Sequence, residues 1–288
     1  MRISRPSGTT QLLADLRMRS ARFARAQQEA VSGLRILTPS DDPVGSATLA
    51  RIESRVAEIE QFRRNGVSAR VSLEAESGAL HAAREVVLQA RELARGATGL
   101  APGDPLRAQI VQQVQLLRQE LVSLGNTRMG DDFLFGGTAS TAPPFLADGT
   151  YQGNLGTREA EVDDGTRVVV RRNGQPGFGA AIQALVDIET QVTSGDGTAI
   201  NTAATAADQA ARGLLGLESD AGSRIATVER AANRIATEQS TLLTRRDAIR
   251  SVDPAEAAVR LRTEQQALEQ AYAVTARALE LNLLDFLR

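Results

Sequence analysis

Residues 253–288, DPAEAAVRLRTEQQALEQAYAVTARALELNLLDFLR, predict one long helix with a narrow apolar seam. Asp253 and Pro254 suit a helix start, because the carboxylate caps a free amide and proline fits the first turn. The seam repeats at alternating spacings of four and three, as in a coiled coil, and consists of Leu261, Gln265, Leu268, Tyr272, Thr275, Leu279, Asn282 and Phe286. A helix of about 50 Å with so thin a seam needs a partner helix.

The partner is predicted near the other end of the chain. A second weak stripe consists of Leu12, Leu16, Arg19, Phe23, Ala26 and Ala30, with Leu34 and Leu37 closing it. Neither helix can bury its seam alone, so the two are expected to pack together. We hypothesise that assembly with other subunits uses ten of these residues: Leu12, Leu16, Phe23, Ala30, Leu34, Leu261, Leu268, Tyr272, Leu279 and Phe286.

A proline-led break lies next to each terminal helix. The first is TPSDDP at residues 38–43, where a carboxylate can cap the helix that the second proline opens. Asp41 and Asp42 could also form an acid pair for general acid–base chemistry, but adjacent acids at a helix start are far more often caps. If the terminal helices pair antiparallel, the two breaks fall at the same height. We therefore expect a hinge there, made of Asp41, Asp42, Pro43, Asp253 and Pro254.

Between the breaks, the sequence predicts a helical core interrupted by a β-rich insertion. Heptad patterns are typical of the core, whereas from residue 131 Gly, Pro and Thr become frequent and the apolar period falls toward two. Segments 158–162 and 166–170 flank Asp-Asp-Gly, which indicates a hairpin. We expect the insertion to be an add-on, replaceable over residues 139–172 without loss of assembly.

The predicted fold is therefore mainly α: a long-helix bundle with coiled-coil terminal helices and a small β-rich inserted domain. Its predicted segments are 1–42 and 253–288, which form the terminal domain, 43–130 and 179–252, which form the helical core, and the insertion at 131–178.

Composition argues against an enzyme. The chain has no Cys, one His and no Lys, since all 33 of its basic residues are Arg. It also lacks phosphate-loop, nucleophile-elbow and zinc-protease motifs, so we expect no catalytic residue, no cofactor and no metal. His81 is interpreted as a surface residue. The Asp-Gly cluster at 148–149 and the Asp-Asp-Gly cluster at 163–165 are interpreted as turns, because they lack the calcium-loop spacing.

Charge and hydropathy limit the partners and the location. A net charge of −2 favours neither nucleic acid nor an anionic membrane as partner. No apolar run predicts a membrane span or a cleaved signal peptide. Read alone, this indicates a cytoplasmic protein, or one exported without a cleaved signal.

Several motifs together resemble the bacterial flagellin-like axial proteins. They are SGLRIL at 32–37 with TPSDDP at 38–43, LQARELA at 88–94, NTR at 126–128, FLFGG at 133–137, PPF at 143–145 and LLDFL at 283–287. Within that family, the opening MRIS and the PSDDP form resemble the hook-associated proteins of the hook–filament junction more than filament flagellin.

The resemblance implies a structural, non-enzymatic part of the extracellular flagellum. Its partners would be a hook-side junction protein, flagellin, further copies of itself in a ring or tube, and an export chaperone. Export would use the flagellar type III apparatus, with neither nucleic-acid binding nor membrane insertion. Two alternatives stay open: a short filament flagellin, and a cytoplasmic coiled-coil scaffold.

Overall fold

A computed structural model describes residues 7–139 and 141–286, with side chains for 10–139 and 141–277. Its helices are α1 (Ser7–Ser32), α2 (Pro43–Ala97), α3 (Pro105–Gly125), α4 (Ala180–Ser194), α5 (Gly197–Arg250) and α6 (Pro254–Phe286). The antiparallel strand pairs are β1 (Arg128–Met129) with β2 (Asp132–Phe133), and β3 (Arg158–Asp163) with β4 (Thr166–Arg171). A turn of π-helix, Gln175–Gly179, precedes α4. The mainly α fold with a small β-rich insertion is confirmed.

Three of the helices begin as local sequence rules require. α2, α3 and α6 each start at a proline that follows an aspartate. Asp42 Oδ1 accepts a hydrogen bond from the Gly45 amide (2.8 Å), and Asp253 Oδ1 accepts one from the Ala255 amide (2.8 Å). These carboxylates satisfy amides that the first helical turn leaves unpaired, so the interpretation of Asp42 and Asp253 as caps is confirmed.

The first helix is shorter than its stripe predicts. α1 ends at Ser32, whereas the pattern extended to Leu37. Gly33 has a φ of +69°, a conformation that favours glycine and stops the helix. Leu34 then leaves the helix and forms an antiparallel bridge with Ser251.

The chain divides into two compact units, Met1–Ala57 with Gln239–Arg288, and Glu58–Glu238. We refer to them as the terminal unit and the central unit. Their limits fall within α2 and α5, whereas the predicted segments met at the proline-led breaks. The difference arises because the first turns of α2 and the last turns of α5 have their contacts in the terminal unit.

Aromatic residues of the insertion lie in the core of the central unit. Phe135, Phe145 and Phe178 are almost completely buried, with the ring centroids of Phe135 and Phe178 separated by 4.6 Å. They pack in one cluster with residues of α2 to α5 that include Leu80, Leu121, Leu185, Ile188, Ile200 and Leu214. The insertion therefore packs into the core and is not a surface addition, while its replaceability over residues 139–172 stays a prediction. Its sparse aromatics fill space that the Ala-rich helices leave open.

The predicted hairpin, β3 and β4, packs on α2 and α5. Val162, Val168 and Val170 form a second buried cluster with Leu73 and Val228. Ser72 Oγ donates to the Val170 carbonyl (2.9 Å), and the turn between the strands contains Gly165 at a φ of +66°.

The Asp-Gly clusters of the insertion, at 148–149 and 163–165, make ordinary protein contacts. Asp163 accepts hydrogen bonds from the Arg234 guanidinium (2.6 and 2.9 Å), and Asp148 accepts one from the Thr150 amide (2.8 Å). The interpretation of these residues as turns, rather than as calcium ligands, is in keeping with these contacts.

Candidate assembly interface

The terminal unit is built on an antiparallel pair of helices, α1 and α6. At one end, Glu29 of α1 contacts Arg260 of α6. At the other end, Leu12 and Leu16 of α1 line a common groove with Thr275 of α6. These contacts occur in opposite order along the two helices, so the pair is antiparallel. The two ends of the chain therefore pair as their seams predict, and this prediction is confirmed.

The seam of this pair is thin and only partly covered. Ala26 and Ala257 are 3% exposed, whereas the larger apolar residues are half-buried: Leu12, Leu16, Phe23, Leu34, Leu261 and Leu268. A pair of this kind buries little apolar surface for its length, and part of its seam stays open to water.

Two of the ten predicted interface residues lie outside the seam. Ala30 is exposed and Tyr272 is 53% exposed, while Glu29 and Ala271 occupy the inner positions. The apolar period alone does not decide which of two neighbouring residues faces inward, because that depends on the path of the partner helix. The side chains of Leu279 and Phe286 lie outside the described residues.

A buried carboxylate joins the two helices. Glu29 is 4% exposed and accepts from Arg25 Nε (3.2 Å) and from Arg260 Nη1 (2.9 Å). Arg25 also pairs with Asp41 through Nη2 and Oδ1 (2.9 Å). A buried charge needs such partners, because its hydration is lost. Sequence reasoning missed this site. The available signal was a glutamate three residues after the seam residue Ala26.

The two segments between helices are hydrogen-bonded to each other. The Arg35 amide donates to the Arg250 carbonyl (2.8 Å), and the Val252 amide donates to the Gly33 carbonyl (3.0 Å). The Arg35 side chain bridges the Ile249 carbonyl (3.0 Å) and Asp42 Oδ2 (3.2 Å). The sequence placed both breaks at the same height, and these bonds agree with that inference.

The residues of the expected hinge all lie in this bridged region, inside the terminal unit. Asp41 Oδ2 accepts from the amides of Leu37 (3.0 Å) and Thr38 (2.9 Å). Pro43 and Pro254 are the first residues of α2 and α6. Their function as a hinge stays a prediction.

Both aspartates of the first segment are held in the ionised form. The Thr38 amide lowers the pKa of Asp41 most, and the Leu37 amide and Arg25 lower it further. The Gly45 amide lowers the pKa of Asp42 most, followed by Arg35. Both carboxylates stay charged to a lower pH than usual and keep their bonds.

An open groove of about 240 Å³ runs along one side of the helix pair. Leu12, Leu16 and Val274 form its apolar part, while Asp15 and Arg19 form its polar part.

The described side chains include no candidate metal site. Among residues 10–139 and 141–277, no group of three or more His, Cys, Asp and Glu residues could hold a metal ion. His81 is exposed, with Nδ1 3.2 Å from Glu218 Oε1. No helix in the same part of the chain is long and apolar enough to cross a membrane.

The fold therefore defines a class: long-helix proteins whose two ends pair with each other. The bacterial flagellin N-terminal helical region matches residues 3–140, and the bacterial flagellin C-terminal helical region matches residues 204–287. Together, these matches span well over half of the chain. The chain belongs to the bacterial flagellin family.

Two curated relatives are named flagellar hook-associated protein 3. The Escherichia coli K12 protein is 24% identical over 177 residues, which cover 59% of this chain and 56% of the relative. The Salmonella typhimurium LT2 protein is 24% identical over 176 residues, which cover 60% and 56%. The chain thus spans little more than half the length of the curated relatives it matches.

Solved structures share the fold. FlgL from Bacillus cereus has a TM-score of 0.62 and 21% identity, over 68% of this chain and 99% of that chain. The flagellar junction protein FlgL from Legionella pneumophila has a TM-score of 0.57 and 16% identity, over 70% and 100%.

Proposed function

We propose that this chain is a structural component of the bacterial flagellum, a junction protein of the FlgL type that links the hook side to the flagellin filament. The observation that carries the proposal is the α1–α6 pair, whose seam is only half covered within one chain. Its partners would be a hook-side junction protein, flagellin and further copies of itself in a ring or tube.

Apolar residues outside the seam support self-assembly through the terminal helices. Leu13 and Met18 of α1, and Val259, Tyr272 and Val274 of α6, are each about half exposed or more. A neighbouring helix would remove these side chains from water, which favours association by about 25 cal/mol per Å² of apolar surface. On this view, Tyr272 and Ala30 belong to contacts between subunits.

The proposed location is the extracellular flagellum, reached through the flagellar export apparatus without a cleaved signal and with the help of an export chaperone. A thin terminal pair suits this route, because it costs little free energy to open before export. No enzymatic step is proposed.

Membership of the flagellin family argues against the cytoplasmic scaffold. A short filament flagellin is also disfavoured, since the curated relatives are named as hook-associated proteins. The two flagellar functions differ in where the protein lies and in how many copies are present.

The test is immunogold labelling of flagella from the source bacterium, combined with deletion of the gene. A junction protein labels only the hook–filament boundary, and its deletion leaves hooks without filaments while flagellin is released into the medium. Labelling along the whole filament would instead identify a flagellin. Intact, motile filaments in the deletion strain would contradict both functions.

A further inference from the structure

Helix α3 carries a second stripe that its own chain does not cover. The first stripe faces the core, where Val114, Leu117 and Leu121 are buried. The second is exposed and consists of Leu106, Gln109, Gln113, Leu116, Glu120 and Ser123, at alternating spacings of three and four. Leu116 is 65% exposed and Leu106 is 50% exposed. This spacing is typical of a helix that contacts another helix.

The exposed stripe is nearly free of charge. Residues 108–117, AQIVQQVQLL, contain no charged side chain, although 24% of the whole chain is charged. The two arginines that flank this segment are paired with groups of the same chain. Arg107 donates to backbone carbonyls that include Val192 (3.0 Å), and Arg118 Nε lies 2.8 Å from Glu189. A surface of glutamine and leucine costs less free energy to dehydrate than a charged one, provided that its amides find new partners.

A groove of about 420 Å³ between α4 and α5 has the complementary character. Ala184, Ala210 and Gly213 give it a floor of small residues, and a Cβ added to Gly213 would meet nothing within 4 Å. Gln183, Asp187 and Gln209 also line it. Asp187 accepts a hydrogen bond from Gln183 (2.9 Å), so the groove offers amides and one carboxylate.

We propose that α3 of one copy docks in the α4–α5 groove of a second copy, with Leu116 on the small floor residues. Residues 109–116 of α3 extend over about 11 Å, the same length as residues 206–213 of the groove. The amides of Gln109 and Gln113 then hydrogen-bond with Gln183, Asp187 and Gln209 of the other copy. Size and charge match together: a large side chain meets small ones, and amides meet amides.

Charge also distinguishes this occupant from another exposed ridge. Val67 and Val71 of α2 are exposed as well, but Arg64, Arg70 and Glu74 surround them in the sequence. Placing that ridge in the groove would bury several charges against Asp187 alone, which costs more than burying amides. The α3 stripe brings no such charge between Arg107 and Arg118.

The contact joins two different surfaces, so it is head-to-tail. Contacts of this type repeat from copy to copy and build a ring or an open helical tube. The inference rests on the proposed self-assembly and adds a contact outside the terminal helices.

The absence of native cysteine allows a direct test with the full chain. Leu116→Cys and Gly213→Cys are made as separate variants, mixed, and oxidised under mild conditions. The mixture should give a disulfide-linked dimer at least about tenfold faster than either variant alone, because docking raises the effective thiol concentration to the millimolar range. Val71→Cys mixed with Gly213→Cys is the matched control, and maleimide labelling establishes that each thiol is accessible.

Three results would overturn the contact. One is a mixture that forms no dimer although both thiols label. A second is a dimer formed equally well by Leu116→Cys alone, which would mean that α3 pairs with α3. A third is faster cross-linking of Gly213→Cys with Leu155→Cys, which would place the exposed loop residue Leu155 in the groove. Sedimentation of the unmodified chain separates the two proposals. If the unmodified chain assembles but the mixed cysteine variants do not cross-link, the α3 contact is refuted and self-assembly stands.

Discussion

Oε2 of Glu29 lies 2.9 Å from Nη1 of Arg260, across the pair formed by the first and last helices. The carboxylate is buried and receives a second bond from Arg25, whereas the two guanidinium groups remain about half exposed. This contact fixes the register of a seam whose apolar residues are small or half-buried, because it forms at only one alignment of the helices.

Replacing Glu29 should therefore loosen the terminal unit. We expect Glu29→Gln to destabilise the α1–α6 pair by about 1–2 kcal/mol, less than a fully buried pair because both arginines reach water. Amide hydrogen exchange along α6 would report the change. Glu256→Gln removes the exposed partner of the same Arg260 and should cost less than about 0.5 kcal/mol. Equal effects of the two changes would mean that burial of Glu29 is unimportant.

Phe145 should be essential to the central unit. Phe145→Ala removes a ring that packs on Phe178 and Tyr151, and should cost about 3–5 kcal/mol in the free energy of unfolding. Leu155→Ala, in the same insertion but 74% exposed, should change it by less than about 0.5 kcal/mol. Urea unfolding followed by circular dichroism measures both. If Phe145→Ala left the free energy of unfolding unchanged, the insertion would not be needed for the stability of the core.

Local chemistry explains what the sequence predicts well. Each aspartate–proline pair acts on amides within a few residues, so the starts of α2, α3 and α6 follow directly from their motifs. The β3–β4 hairpin is similarly specified by its turn. The buried carboxylate is a long-range miss. Its partners Glu29 and Arg260 are 231 positions apart, and the spacing of Glu29 from Ala26 does not identify Arg260 as its partner.

The same distinction applies to the insertion and the seam. Gly- and Pro-rich composition describes the backbone of the insertion, but not where Phe135 and Phe145 pack. The heptad pattern identifies α1 and α6 as partners, yet it does not reveal that Ala271 rather than Tyr272 faces inward, because that depends on the path of the partner helix.

Asp41 and Asp42 should make the stability of the terminal unit depend on pH. Their folded-state pKa values lie below the ordinary 3.8, so each carboxylate stabilises the folded state above that value. This stability is lost as the pH falls through the folded-state pKa. Asp41→Asn and Asp42→Asn should thus lower Tm near neutral pH and have little effect at about pH 2. Ser40→Ala removes no titrating group and should act equally at both pH values. A Tm difference from wild type that does not depend on pH would contradict this assignment.

Substitutions at an exposed and at a half-buried residue of α6 should distinguish effects on assembly from effects on folding. Tyr272→Ala should leave the stability of the isolated chain within about 0.5 kcal/mol, since the side chain is 53% exposed, but should reduce self-assembly. Leu261→Ala should reduce both, because Leu261 is half-buried. Unfolding and sedimentation of the same samples distinguish the two effects. Normal assembly by Tyr272→Ala would remove this residue from the proposed interface.

The terminal pair should gain most of its stability on assembly. Ordering each residue costs about 1–2 kcal/mol of backbone entropy, and in this pair the larger seam residues are only half-buried. In the central unit, by contrast, Leu185, Ile188 and Leu214 are fully buried. We therefore expect the amides of 256–277 to exchange much faster than those of 200–235 in the dilute monomer, and to become protected after incorporation into the flagellum. A variant lacking residues 1–38 and 254–288 should remain helical and soluble but should not enter the junction. Slow exchange of 256–277 in the monomer, comparable to that of 200–235, would mean that the pair is already stable and that its folding is not coupled to assembly.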